Sequence, residues 1–214
     1  MSDPLKPPLN SLTFSIEECA AITAALASKK PWDHTKQGCK IVEGHLISVK
    51  GKLKAFHLQR QKNDCAYCKN SLAGRDGVSI DREHILPKSK FKEKAYDVFN
   101  ISIACKRCNM DIKRERWNFL INPSIGPHLE DTGNYLIIHP NFDNWYKHLW
   151  IEAVRSGESR IVKYLVNPNS KKGSYTYTFF KLRDLEEDSF DDAQGLNRPH
   201  LRRIEDVFEE YKPL

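Results

Sequence analysis

Val42, Leu46, Val49, Leu53 and Phe56 recur at spacings of four, three, four and three, one apolar stripe on a helix over about 40–61. Lys50, Lys52, Lys54 and Arg60 fall mostly off that stripe, while Gly44 and Gly51 weaken its helix propensity. Upstream, Ser15 followed three residues later by Glu18 has the form of a capping box. It predicts a helix through Cys19-Ala20-Ala21-Ile22 to about Ser28, stopped by Lys29-Lys30-Pro31. A loop with Trp32 and His34 joins the two helices, and the proline-rich residues 1–10 predict no regular structure.

Beyond residue 62 the pattern shortens. Val78–Leu86 predicts a strand that stops at Pro87, and Phe99–Ala104 a second. Cys108 opens a short helix to about Phe119, before Pro123, Gly126 and Pro127 impose a loop. Asn134–His139 reads as a strand, and the second half of HPNFDNWYKHLW as a helix. Residues 160–166 and 174–182 flank the turn Asn167-Pro168-Asn169-Ser170 and predict a hairpin, with Tyr175, Tyr177 and Phe179 on one face. That face reads as packing surface ahead of a base-stacking platform. Asn197-Arg198-Pro199 opens a last helix with Leu201, Ile204, Val207, Phe208 and Tyr211, whose exposed apolar residues suggest a docking surface. The expected class is α+β: a helical N-terminal region 1–62, a strand–strand–helix core 63–120, and a C-terminal α/β extension 121–214. A single compact unit with a helical front fits the pattern as well.

Composition narrows the setting. Apolar residues are 40% of the 214 and aromatics 10%, enough to bury a core. No apolar run approaches the roughly 20 residues needed to span a membrane, and the N-terminus carries no secretory pattern. A reducing cytoplasm is the expected compartment, where paired cysteines favour metal over disulfides. The net charge of +6 is too small to name a partner. Its distribution says more: 50–62, 86–94 and 106–116 are basic, whereas acidic residues gather at 184–192 and 205–210.

Those basic clusters surround two Cys-x-x-Cys pairs, Cys65/Cys68 and Cys105/Cys108. Two such knuckles supply four thiolates to a tetrahedral structural Zn²⁺. The 36 residues between the pairs exceed a usual zinc-ribbon gap, so the two strands must fold inside the loop. Buried free thiols or a redox dithiol explain the matched spacing less well, and an iron–sulfur cluster is the further alternative to zinc. Cys19 is expected in the core and Cys39 in a loop.

Inside the clip lie Glu83-His84, Asn100 and Asn109. Phosphodiester hydrolysis needs a base for water, a cation on the phosphate and leaving oxygen, and a scaffold for both. His84, the one histidine of the segment, can be the base, and Glu83 and Asn109 offer hard oxygens to Mg²⁺ or Mn²⁺. Asp81 is the rival acid. Neighbouring strand residues point to opposite faces, so Glu83 and His84 share a site only if the strand end bends.

CAYC, then Glu83-His84-Ile85 with Pro87-Lys88-Ser89, then Phe99-Asn100, then Cys105-x-x-Cys108-Asn109-x-x-x-Lys113 resembles the HNH endonucleases. The resemblance covers about 50 residues. It implies a ββα-metal motif clipped by a four-cysteine zinc site, and one catalytic divalent ion at Glu83 and Asn109. It further implies His84 activating water, Asn100 holding His84 by a hydrogen bond, and products with a 5′-phosphate and a 3′-hydroxyl. The third position is Asn109 in place of histidine, a variant shared by zinc-clipped members. With the later His-Pro-x-x-Asp segment, the order resembles small HNH proteins of bacterial anti-phage defence, of Septu, Zorya or retron type. That likeness implies double-stranded DNA, cut or nicked, as substrate and an ATPase or motor partner. No G-x-x-x-x-G-K-[ST] loop occurs, so any ATP requirement belongs to another chain.

Lys88, Lys106, Arg107 and Lys113 are the expected phosphate contacts, with Lys90, Lys92, Arg114 and Arg116 beside them. His139 and Asp143 offer either a further ligand or a polar turn packed by Phe142 and Trp145. A stand-alone restriction or mobile-element nuclease is the nearest alternative. A zinc-clipped nucleic-acid or protein binding module without catalysis is the alternative from another class; it leaves Glu83-His84 and both asparagines without a task.

Overall fold

Ser15 caps helix α1, Ile16–Leu26, by accepting the Glu18 N–H while the Glu18 carboxylate accepts the Ser15 N–H at 2.9 Å, the expected capping box. Glu18 does more than close its own helix. It also accepts from Ser48 Oγ and Lys52 Nζ, both at 2.7 Å, and so docks α1 onto α2, Lys40–Arg60. The expected stripe carries the packing: Leu46, Val49 and Leu53 are fully buried against Ala21 and Ala25. This computed structural model describes residues 4–36, 40–74, 79–122, 129–156 and 159–186.

The N-terminal core extends past the helices, since Ala95, Tyr96 and Ile101 complete it. At the end of α2, Gln61 holds both polar groups of Ile103, accepting its N–H and donating to its C=O at 2.8 Å each. The helical front thereby locks onto the strand that carries Ile103.

β1, Ile80–His84, pairs antiparallel with β2, Ile101–Cys105, in a register that sets His84 opposite Ile101 and Ile80 opposite Cys105. β1 ends two residues before the predicted Leu86, because the Asn100 amide takes the Leu86 N–H at 2.8 Å. The predicted helix Cys108–Phe119 is shorter and wider: a π-helical segment, Arg107–Lys113, ended by Arg114 at φ 53°.

The C-terminal half differs from expectation. β3, Leu149–Ser156, is the partner of β4, Ser159–Val166, whereas residues 171–179 form helix α3. The predicted second hairpin strand lost to Ser170, whose hydroxyl caps α3 by accepting from Gly173 N at 2.9 Å. Gly173, Thr176 and Phe180 are buried at helical spacing, so Tyr175, Tyr177 and Phe179 alternate in sequence but not across a sheet. Gly173 is required there, since a Cβ would stand 2.5 Å from the His148 carbonyl. The predicted strand Asn134–His139 is a 3-10 turn at Thr132–Asn134 and one bridge, Tyr135 to Leu120. The helix predicted within HPNFDNWYKHLW is a single 3-10 turn, Trp145–Lys147, because Leu149 already pairs with Val166.

Cys19 faces solvent on α1, not the core. Cys39 and the predicted last helix lie outside the described residues. No helix among the described residues is long and apolar enough to cross a membrane.

Candidate active site and metal centre

The knuckle spacing brings Cys65, Cys68, Cys105 and Cys108 together, with all four sulfurs within 4.8 Å of one another and buried. A zinc–sulfur bond of about 2.3 Å in a tetrahedron gives edges of about 3.8 Å. Cys68 Sγ and Cys105 Sγ stand 3.9 Å apart, and none of the four is in a disulfide. Bonds from Cys108, Cys65 and Cys68 hold the Cys105 thiol far below its usual range, while the shared bond to Cys105 pushes Cys68 and Cys108 up. The Cys105 N–H also points at Cys65 Sγ, 3.4 Å away. Four buried thiols of this geometry can hold a structural metal such as zinc.

Inside the clip, β1 separates its side chains by face. Asp81 and Glu83 share the face covered by the π-helical segment, where Asn109 and Lys113 are four residues apart and nearly one above the other. Asn109 Nδ2 donates to Asp81 Oδ2 at 3.1 Å, and Lys113 Nζ reaches Glu83 Oε1 at 2.6 Å. Tyr67, from the first knuckle, donates its hydroxyl to the same Oε1 at 3.0 Å. Lys113 also donates to the His84 carbonyl at 2.8 Å. Burial pushes the Glu83 carboxyl up; the Lys113 ammonium beside it opposes that. No described group bonds Glu83 Oε2, and the Asp81 contact leaves Asn109 Oδ1 free to accept.

His84 lies on the other face, edge-on to Trp32 with ring centroids 4.5 Å apart. Its Nε2 is 3.0 Å from the Ala95 carbonyl. A carbonyl only accepts, so the proton sits on Nε2 and the lone pair on Nδ1, which no described group bonds. Burial pushes the imidazole down to about 3, keeping it uncharged near neutral pH. Although on opposite faces, Glu83 and His84 line one cleft of about 500 Å³ over the end of β1, together with Asp81, Asn109, Trp32 and Lys88.

Asn100 is fully buried but does not bond His84. Its amide is saturated by Leu86 N (2.8 Å), Leu86 O (3.1 Å) and Lys94 O (3.1 Å). It therefore fixes the loop whose next carbonyl, Ala95, receives His84, and acts one step removed from the expected contact. Of the expected phosphate contacts, Lys106 is exposed and Lys88 half-buried at the cleft, 3.6 Å from Asp33. The other two are placed otherwise. Lys113 is wholly buried on Glu83, and Arg107 donates to the Phe180 and Lys181 carbonyls at 3.1 and 2.8 Å, tying the knuckle to the end of α3.

His139 and Asp143 form the polar turn. Asp143 Oδ2 accepts the His139 N–H at 2.8 Å and pairs with Lys172 at 2.5 Å. Asn141 donates to the Phe99 and Ile101 carbonyls at 3.0 and 2.8 Å, steadying the start of β2.

Tyr67 and Trp32 are among the residues at the site that the sequence did not single out. Tyr67 lies between the zinc-type cysteines, where an aromatic reads as filler; Trp32 is about 50 residues from His84 in the chain.

Comparison with known proteins fits this arrangement over the clipped segment. No curated protein and no solved structure matches the chain. Residues 65–115, which run from the first knuckle through the π-helical segment, match the family described as HNH endonuclease.

Proposed function

We propose that the protein is a metal-dependent endonuclease that hydrolyses DNA phosphodiesters with His84 as general base. The observation that carries this reading is the geometry of His84: its Nε2–H is spent on the Ala95 carbonyl, and its Nδ1 lone pair is free in the cleft that holds the carboxylates. Such a nitrogen takes a proton from water as water attacks phosphorus, and the Ala95 carbonyl steadies the imidazolium that forms. Glu83 Oε2 and Asn109 Oδ1 are hard donors suited to Mg²⁺ or Mn²⁺, with Asp81 as a third oxygen source beside Asn109. The ion, when bound, supplies positive charge to the phosphate and the leaving oxygen. Asn100 and Lys113 are positioning residues, one for the loop that orients His84, the other for Glu83. The order of motifs further supports an anti-phage effector that cuts or nicks double-stranded DNA beside an ATPase or motor partner.

Cleavage of supercoiled plasmid with Mg²⁺ or Mn²⁺ tests the reading. Wild type should convert it to nicked or linear product, and His84→Ala should be slower by about 100-fold or more. If both proteins bind DNA equally and neither cuts it, with candidate ATPase partners included, the zinc-clipped binding module takes its place. Loss of protection against phage in His84→Ala cells would support the defence role.

A further inference from the structure

A second cleft of about 440 Å³ opens beside the candidate active site, lined by Lys29, Lys30, Lys88, Ser89 and Lys92, with Asp33 and Glu115. The two clefts share Trp32, Lys88 and Glu115 as lining, so they adjoin. Its lysines come from separate chain segments: Lys29 and Lys30 follow α1, whereas Lys88 and Lys92, the latter opening a 3-10 turn, lie between β1 and β2. Four ammonium groups face two carboxylates, and only Lys88 is paired among the described residues, at 3.6 Å from Asp33. Lys29, Lys30 and Lys92 stand exposed, with no ion pair among the described residues.

The shared wall is built rather than incidental. Trp32 is held by Lys50, which donates to its carbonyl at 2.5 Å and lies 4.8 Å above its ring. Tyr96 donates to the Pro31 carbonyl at 2.9 Å and fixes the same turn. Burial first pushes Lys50 down, with Arg82 and Lys88 adding to it and Asp33 opposing.

We infer that this lysine cleft is a nucleic-acid subsite: it holds the backbone phosphates flanking the scissile one, and the N-terminal helical region supplies half of the strand-binding groove. Exposed, unpaired ammonium groups bind phosphates by releasing counterions, with a salt dependence that counts the contacts. The inference rests on the nuclease reading of the neighbouring cleft.

The test compares wild type, Lys29→Ala/Lys30→Ala and the triple variant that adds Lys92→Ala. Binding of a fluorescein-labelled duplex of about 20 base pairs is followed by anisotropy across a salt series without added divalent metal. Hydrolysis of the duplex and of bis(4-nitrophenyl) phosphate, too small to reach the second cleft, is measured with Mn²⁺. The expected result is duplex binding weakened by about tenfold, a salt slope lower by about 1.8 in the double variant and about 2.7 in the triple, and unchanged bis(4-nitrophenyl) phosphate turnover. An unchanged salt slope overturns the subsite, as does an equal loss on both substrates, which would put these lysines inside the reacting centre. If wild type binds the duplex but hydrolyses neither substrate, the nuclease reading falls and the salt slope alone decides the subsite.

Discussion

Lys113 Nζ lies 2.6 Å from Glu83 Oε1, in a pair whose side chains are 1% and 2% exposed. An ammonium expected on a DNA-facing surface is instead the counter-charge of the carboxylate at the candidate active site. Its second bond, to the His84 carbonyl, ties the π-helical segment to the end of β1. One side chain thus sets the spacing between the knuckle helix and both residues of the acid–histidine dipeptide.

Removing that cation leaves a buried carboxylate uncompensated. Lys113→Met should destabilise the fold by about 3–5 kcal/mol in urea unfolding, and Glu83→Gln/Lys113→Met should recover part of the loss. A loss below about 1 kcal/mol, or strictly additive effects, would show that the pair carries no coupling.

The two acids should separate by task. With zinc retained, Mn²⁺ titration by calorimetry should lose most of its binding in Glu83→Gln and in Asn109→Ala, whereas Asp81→Asn should weaken it less. Intact Mn²⁺ binding in Glu83→Gln, with loss in Asp81→Asn, would move the ion to the Asp81–Asn109 pair.

The four thiols should retain about one zinc per purified chain, measured by plasma emission spectrometry. Chelation, or Cys65→Ser/Cys105→Ser, should abolish cooperative unfolding of the strand pair, because metal binding is folding free energy at such a site. Metal content near zero with an unchanged unfolding transition would remove the clip from the account.

His139 provides a pH signature away from the candidate active site. Burial first, with Lys172 adding to it and Asp143 opposing, pushes the imidazole down to about 3 from the ordinary 6.5. The unfolded chain therefore binds the proton more readily, so stability is full above about pH 6.5 and falls as pH drops from there toward about 3, by up to about 1.4 kcal/mol per unit. His139→Asn keeps an acceptor for the Asn141 N–H, which now bonds Nδ1 at 3.2 Å, and removes the titration. The stability advantage of wild type over this variant should shrink by about 1.6 kcal/mol between about pH 6.5 and about pH 5; a constant gap would contradict it.

Much of the site was legible because its signals are local. The cysteine spacing, the acid–histidine dipeptide and the asparagine after Cys108 each lie within a few residues, and the stripe from Val42 to Phe56 needs only the helical period. The C-terminal half was less legible for the same reason. Residues 174–182 alternate like a strand, and only Ser170 capping and the closeness of Gly173 to His148 show them to be a helix.

By itself, then, the sequence determined which residues carry metal-donor atoms and which a titratable ring nitrogen, and that two strands lie between the knuckles. Tertiary structure decided how those groups are paired. Strand alternation put Glu83 under Lys113 and His84 against Trp32, Asn100 turned to the loop carbonyls, and the turn after α1 closed one side of the cleft. Charge and hydrogen-bonding capacity belong to single residues, but their partners depend on contacts between segments far apart in the chain.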